Sequence, residues 1–181
     1  MLVDSRIGEG KINELNDARS NSIKSTTVMQ FSFATTSESS LLSQIAGNSY
    51  DRVGLIMPTT QQSTTVFQKQ DNTVFQMLGT MDAAVLKEVE RYDPELTSWR
   101  TFINFLRFLK QETHCTNFDF IISGIYSNDD WKYAIGELET LAGMTISAPS
   151  SSLGSANWYL EKGNLDLTTT YFNSAPDIDT L

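Results

Sequence analysis

The sequence predicts an α/β fold: three layers, α/β/α, with a mainly parallel central sheet and a β-hairpin near the C-terminus. Three observations predict it. Apolar strand-like runs alternate with helix-period segments through the first 148 residues. The runs Arg52–Met57 and Asn117–Ser123 are almost continuously apolar, the pattern of strands buried on both faces. Two short apolar segments flank Lys162-Gly163, a hairpin signature.

The elements follow in order. Met1–Asp4 reads as a short strand, and Lys11–Arg19 as a helix with Ile12, Leu15 and Ala18 on one face. Val28, Phe31 and Phe33 alternate with polar residues through Thr26–Phe33, which predicts a strand. Leu41, Leu42 and Ile45 form the apolar face of a helix over Glu38–Ala46, and Gly47-Asn48 supplies its C-cap. Arg52–Met57 is a buried strand ended by Pro58. Residues 59–80 are rich in Thr and Gln, and Asp71-Asn72 between two apolar pairs suggests a small hairpin or irregular excursion. Asp82–Tyr92 predicts a helix with Asp82 as N-cap. Thr97–Glu112 gives the strongest helical pattern, with Trp99, Phe102, Ile103, Leu106 and Leu109 on one face. After the strand Asn117–Ser123 comes a helix over Asn128–Ala142, capped by Gly143, and then a strand over Met144–Ala148. The loop Pro149–Ser155 leads to a hairpin of Trp158–Glu161 and Asn164–Thr168. Residues 1–172 are expected to form a single domain, and Asn173–Leu181 a polar, loosely held tail.

Composition narrows function. The 181 residues carry 13 Lys+Arg against 22 Asp+Glu, a net charge of −9. Such a chain lacks the basic stripe that contacts phosphates, so no nucleic-acid partner is expected. The same acidity disfavours an anionic membrane surface, and no apolar run is long enough for membrane insertion. One cysteine excludes an internal disulfide framework and a multi-cysteine zinc site. No basic and apolar leader opens the sequence, so it is expected inside a cell, cytoplasmic, or packaged in a virion.

In open α/β sheets ligands bind beyond the carboxyl ends of the strands. The loop after Asp4 holds Gly8 and Gly10, without the third glycine or the acidic residue of a dinucleotide site. His114 and Cys115 are the one histidine and the one cysteine. Adjacent residues in an extended segment point apart, and this pair precedes its strand, at the sheet's amino end. They read as a helix-terminal histidine and a half-buried thiol. Ser155 stands on a loop without a base, outside any Gly-x-Ser-x-Gly elbow. Asp129 and Asp130 at a helix start serve as N-cap and dipole partners. The alternative is a metal-dependent hydrolase in which Asp4, Asp129 and Asp130 converge to hold a cation such as Mg²⁺.

The segments also resemble, over roughly residues 1–172, a caspase- and gingipain-like domain of unknown function. That domain stands at the N-terminus of large, repeat-rich bacterial surface proteins, notably cyanobacterial ones. Leu2-Val3-Asp4-Ser5 looks like its opening strand, and Tyr50–Met57 like the strand that leads into Ser-His-Gly. Asp119–Gly124 is similar to the strand that leads into Gly-Cys. The most specific stretch is Leu138 to Glu161, where Leu141-Ala142-Gly143, Thr145–Ala148 and Asn157-Trp158-Tyr159-Leu160-Glu161 follow the family's pattern. The resemblance implies a caspase-like fold. It places Pro58 where the family has its histidine and Ile125 where it has its cysteine, and neither can move a proton or attack a carbonyl.

The expectation is therefore a pseudoenzyme, not an enzyme, with no cofactor. It would be a structural or interaction protein whose partners are other proteins of a larger assembly. Similar domains in large DNA virus proteins suggest a minor capsid protein of the virion. Contacts would come from residues 59–80, the Pro149–Ser155 loop and the tail. A peptide- or glycan-binding module is the remaining alternative and would show one deep pocket with a few polar groups.

Overall fold

The computed structural model describes residues 1–19, 25–32, 36, 38–58, 97–154 and 157–181. The expected excursion over 59–80, the helix over 82–92 and Ser155 lie outside the described residues.

Among the described residues five parallel strands form the central sheet: β1 (Leu2–Asp4), β2 (Met29–Phe31), β3 (Arg52–Ile56), β4 (Asn117–Ile121) and β5 (Thr145–Ser147). Their spatial order is β2-β1-β3-β4-β5, with register pairs Leu2↔Met29, Leu2↔Leu55, Gly54↔Asp119 and Asp119↔Ser147. This is a doubly wound order, with its topological switch point between β1 and β3. The helices are α1 (Glu9–Ala18), α2 (Glu38–Ile45), α3 (Thr97–Thr113), α4 (Asp129–Ala142) and the single turn α5 (Leu167–Thr170). A separate antiparallel pair, β6 (Tyr159–Leu160) and β7 (Leu165–Asp166), forms the expected hairpin.

Alternation along the strands divides the core in two. On one face Leu2, Phe31, Leu55, Phe118, Phe120 and Ile146 meet apolar residues of α2, α3 and α4. Phe118 and Phe120 pack edge-on at 5.3 Å, and Phe102 of α3 lies 5.8 and 5.9 Å from them. On the other face Val3, Ile56 and Ile121 meet α1 together with Trp158, Leu160, Leu167 and Phe172. The C-terminal third thus covers a sheet face that α1 alone leaves open.

Three local readings need correction. Asn128, not Asp129, caps α4: its side chain accepts from the N–H groups of Asp130 and Trp131. The second hairpin strand is shorter than the pattern Asn164–Thr168, because Asp166 accepts from Thr168 N–H and starts α5. The closing segment is not loosely held. Pro176, Ile178 and Leu181 are buried, and Ile178 and Leu181 join the second core.

Candidate functional site

A buried polar cluster sits on the sheet face covered by the C-terminal third. Asp119, mid-strand in β4, has no accessible surface. Arg52 reaches it from the start of β3 with Nε at 2.9 Å and Nη2 at 2.7 Å, a two-pronged contact. Arg52 Nη2 also lies 3.3 Å from Ser147 Oγ on β5. Tyr171, at the end of α5, donates its hydroxyl to Asp119 Oδ2 at 2.6 Å. Gly54 makes that reach possible. A Cβ there would stand 3.1 Å from the Tyr171 hydroxyl and 2.8 Å from Ile121 Cδ1. Asp119 hydrogen bonding pushes the Arg52 guanidinium up. Burial, followed by the charge of Asp119, holds the Tyr171 phenol well above its ordinary value. The Arg52 guanidinium is thus held charged and the Tyr171 phenol neutral, which suits a structural tie better than proton transfer.

A cavity of about 440 Å³ opens beside this cluster. Met1, Thr27, Tyr50, Arg52, Leu109 and Thr170 are among its walls. Met1, Thr27, Tyr50 and Arg52 precede or begin β1, β2 and β3, so the cavity lies at the amino edge of the sheet, with Leu109 of α3 and Thr170 of α5 beside it. That is opposite the edge where the sequence directs attention. Burial pushes the Tyr50 phenol up. The Met1 amino group is buried, donates to Thr27 O at 2.5 Å, and is lowered by desolvation to about 5.

At the carboxyl ends of β4 and β5 the chain itself bridges the two loops. Pro58 follows β3 and Ile125 follows β4, so the two positions stand at the ends of neighbouring strands. Ile125 is buried in the core. Gly124 N–H bonds to Ser151 O, and Tyr126 N–H to Pro149 O, which zips the loop after β4 to the loop after β5. Ser123 Oγ donates to Leu181 O and accepts from Leu153 N–H.

No protein-family model matches the chain, no curated protein is similar to it at a significant level, and no solved structure matches it. The reading of the site therefore rests on its geometry.

The carboxylates of the metal alternative are not brought together. Asp4 is buried at the switch point, and both its oxygens are used by Arg6: the backbone N–H at 2.9 Å, Nε at 2.9 Å and Nη2 at 2.6 Å. Asp129 is exposed and pairs with Lys132 at 2.7 Å. Among the described residues no three His, Cys, Asp or Glu side chains are placed to hold a metal ion. Among them, too, no helix is long and apolar enough to cross a membrane.

His114 and Cys115 part company. His114 is exposed in a left-handed turn at φ 59° that ends α3. Cys115 is fully buried rather than half-buried, and its thiol donates to Asn117 O at 3.0 Å. Burial pushes that thiol up, away from the reactive thiolate. The sequence reading missed Asp119 and Arg52 as a pair. The signal was present: a carboxylate in the middle of an otherwise apolar strand needs a partner.

Proposed function

We propose that this chain is a non-catalytic interaction protein on a degenerate peptidase-like scaffold. It serves as a small component of a larger assembly, such as a minor capsid protein in the particle of a large DNA virus. The bridged loops at the carboxyl ends of β4 and β5 carry this reading. Pro58 and Ile125, the positions that the resemblance gives to the dyad, follow the neighbouring strands β3 and β4, and the backbones of Leu153 and Leu181 bond to the nearby Ser123. The best-built polar cluster, Asp119 with Arg52, Ser147 and Tyr171, is consumed in holding the C-terminal third onto the sheet. A scaffold whose polar groups are spent internally offers its outer surface for work. The test is a screen of the full chain on peptide, ester and phosphoester substrates, with and without Mg²⁺. No turnover above that of a heat-unfolded sample is expected. Turnover that requires Mg²⁺ and falls with Asp129→Asn would overturn the proposal in favour of a metal-dependent hydrolase.

A second reading, a peptide- or glycan-binding module, draws on the amino-edge cavity. Its volume of about 440 Å³ and its wall of hydroxyls beside Arg52 suit a small polar ligand. Saturable binding of an oligosaccharide or short peptide that is lost with Tyr50→Ala would favour it.

A further inference from the structure

The cavity at the amino edge draws its walls from two parts of the chain. Thr27, Ser49 and Arg52 come from the starts of β2 and β3, and Leu165, Thr169 and Thr170 from β7 and α5. Its volume of about 440 Å³ lies near the lower end of the roughly 300–1,000 Å³ of small-molecule sites.

The wall holds polar groups that the fold leaves unspent. The hydroxyls of Ser25, Thr27, Ser49 and Tyr50 bond to none of the described residues. Thr26 Oγ1 donates to Tyr171 O at 2.7 Å and Thr170 Oγ1 to Asp166 O at 2.6 Å, which leaves both oxygens as acceptors. Arg52 uses Nε and Nη2 on Asp119 and Ser147, and its Nη1 bonds to none of the described residues, so two donors remain. Between these groups Leu2, Ile45, Val53 and Leu109 supply apolar wall. A few polar groups set among apolar ones are the ordinary make-up of a small-molecule site.

The charges select among ligands. Asp51 and Arg52 are the charged side chains of the wall. Arg52 is already paired with Asp119 at 2.7 Å, so Asp51 sets the local sign in a chain of net charge −9. An anionic ligand is repelled there, and a cationic one meets the guanidinium. A neutral ligand covered in hydroxyls meets neither cost. It can accept from Arg52, donate to Asp51, exchange bonds with the wall hydroxyls, and lay its C–H faces on the apolar wall.

We propose that this cavity binds a neutral sugar of one or two rings, held by Arg52 Nη1, Asp51 and the hydroxyls of Thr27, Ser49 and Tyr50. The inference rests on the second reading above and names its ligand class. The walls join the strand starts to α5, so a bound sugar adds to the tie on the C-terminal third and raises the melting temperature.

Calorimetric titration of the full chain tests it, with glucose, galactose, mannose, N-acetylglucosamine, maltose and cellobiose as probes. Glucuronate and galacturonate serve as anionic counterparts, and triserine as a peptide. Saturable one-to-one binding of at least one neutral sugar is expected, at a Kd on the order of 1 mM or below. A uronate should bind more weakly than the neutral sugar by roughly tenfold or more. Tyr50→Phe and Ser49→Ala each remove one hydroxyl, and each should weaken the sugar by roughly three- to tenfold in a chain that melts as the native one does. The uronate comparison needs no variant, so it decides even where a substitution disturbs folding. No saturation by any neutral sugar, a uronate that binds as tightly, or unchanged affinity in both variants overturns the proposal. Saturable binding of triserine without any sugar overturns it and keeps the second reading. Failure of sugars and peptide alike removes both.

Discussion

Replacing Asp119 with alanine tests what holds the C-terminal third to the sheet. The carboxylate is wholly buried and receives two bonds from Arg52 and one from Tyr171. Breaking a buried ion pair by removing one partner costs about 3–5 kcal/mol. Arg52 is 22 % exposed, so water reaches its guanidinium and the loss falls near the low end, at about 3 kcal/mol. The Tyr171 hydroxyl is buried and would be left without an acceptor, which adds about 1–2 kcal/mol. The total, about 4–5 kcal/mol, is a large share of the roughly 5–15 kcal/mol that stabilises a domain. In a chain of this size it corresponds to a drop in Tm of roughly 8–20 °C. Urea unfolding followed by tryptophan fluorescence measures it, since Trp158 lies in the affected layer. Adding Arg52→Met and Tyr171→Phe to Asp119→Ala removes the orphaned groups and should recover about 1–3 kcal/mol. A cost under about 1 kcal/mol for Asp119→Ala would mean that the cluster does not tie the C-terminal third to the sheet.

Other outcomes follow from the same geometry. Gly54→Ala forces a methyl against Ile121 and the Tyr171 ring, which Asp119 holds in place, and should cost about 1–3 kcal/mol in a denaturant titration. The Met1 amino group titrates at about 5 when folded and at its ordinary 8.0 when unfolded. The unfolded state therefore binds more protons between those values. Stability is full above pH 8 and is lost as pH falls towards 5, by up to roughly 4 kcal/mol. Unfolding midpoints across that range, with and without Nα-acetylation, check the slope. Cys115 is buried with its thiol pushed up, so an aromatic disulfide reagent should react with the native chain only through opening, far more slowly than with the unfolded chain. Equal rates would contradict that placement.

What could be read in advance follows from how local each signal is. β3 and β4 are buried on both faces, so their apolar runs show directly in the sequence. The stripe of Trp99, Phe102, Leu106 and Leu109 declares α3 in the same way. Gly54 inside a strand signals a close approach without saying of what. The partner is Tyr171, and its tie to Asp119 links positions 52 residues apart, which no local pattern encodes. The segment ending at Leu181 reads as polar because Asp177, Asp179 and Thr180 dominate it. Pro176, Ile178 and Leu181 have no helical or strand period, and a groove made by Ser123, Leu153 and Gly154 decides their burial. The cavity at the amino edge escaped for a like reason. It is assembled from the approaches to three strands that are neighbours only in space.

A chain that works by contact should be found bound to its partners. The most direct measurement is quantitative capture of the chain from its native source at low salt and at about 0.5 M salt, where exposed ion pairs are screened, with light scattering on the isolated chain. A fixed stoichiometry with the proteins of one large assembly is expected. A monodisperse monomer that brings down nothing at either salt would contradict it.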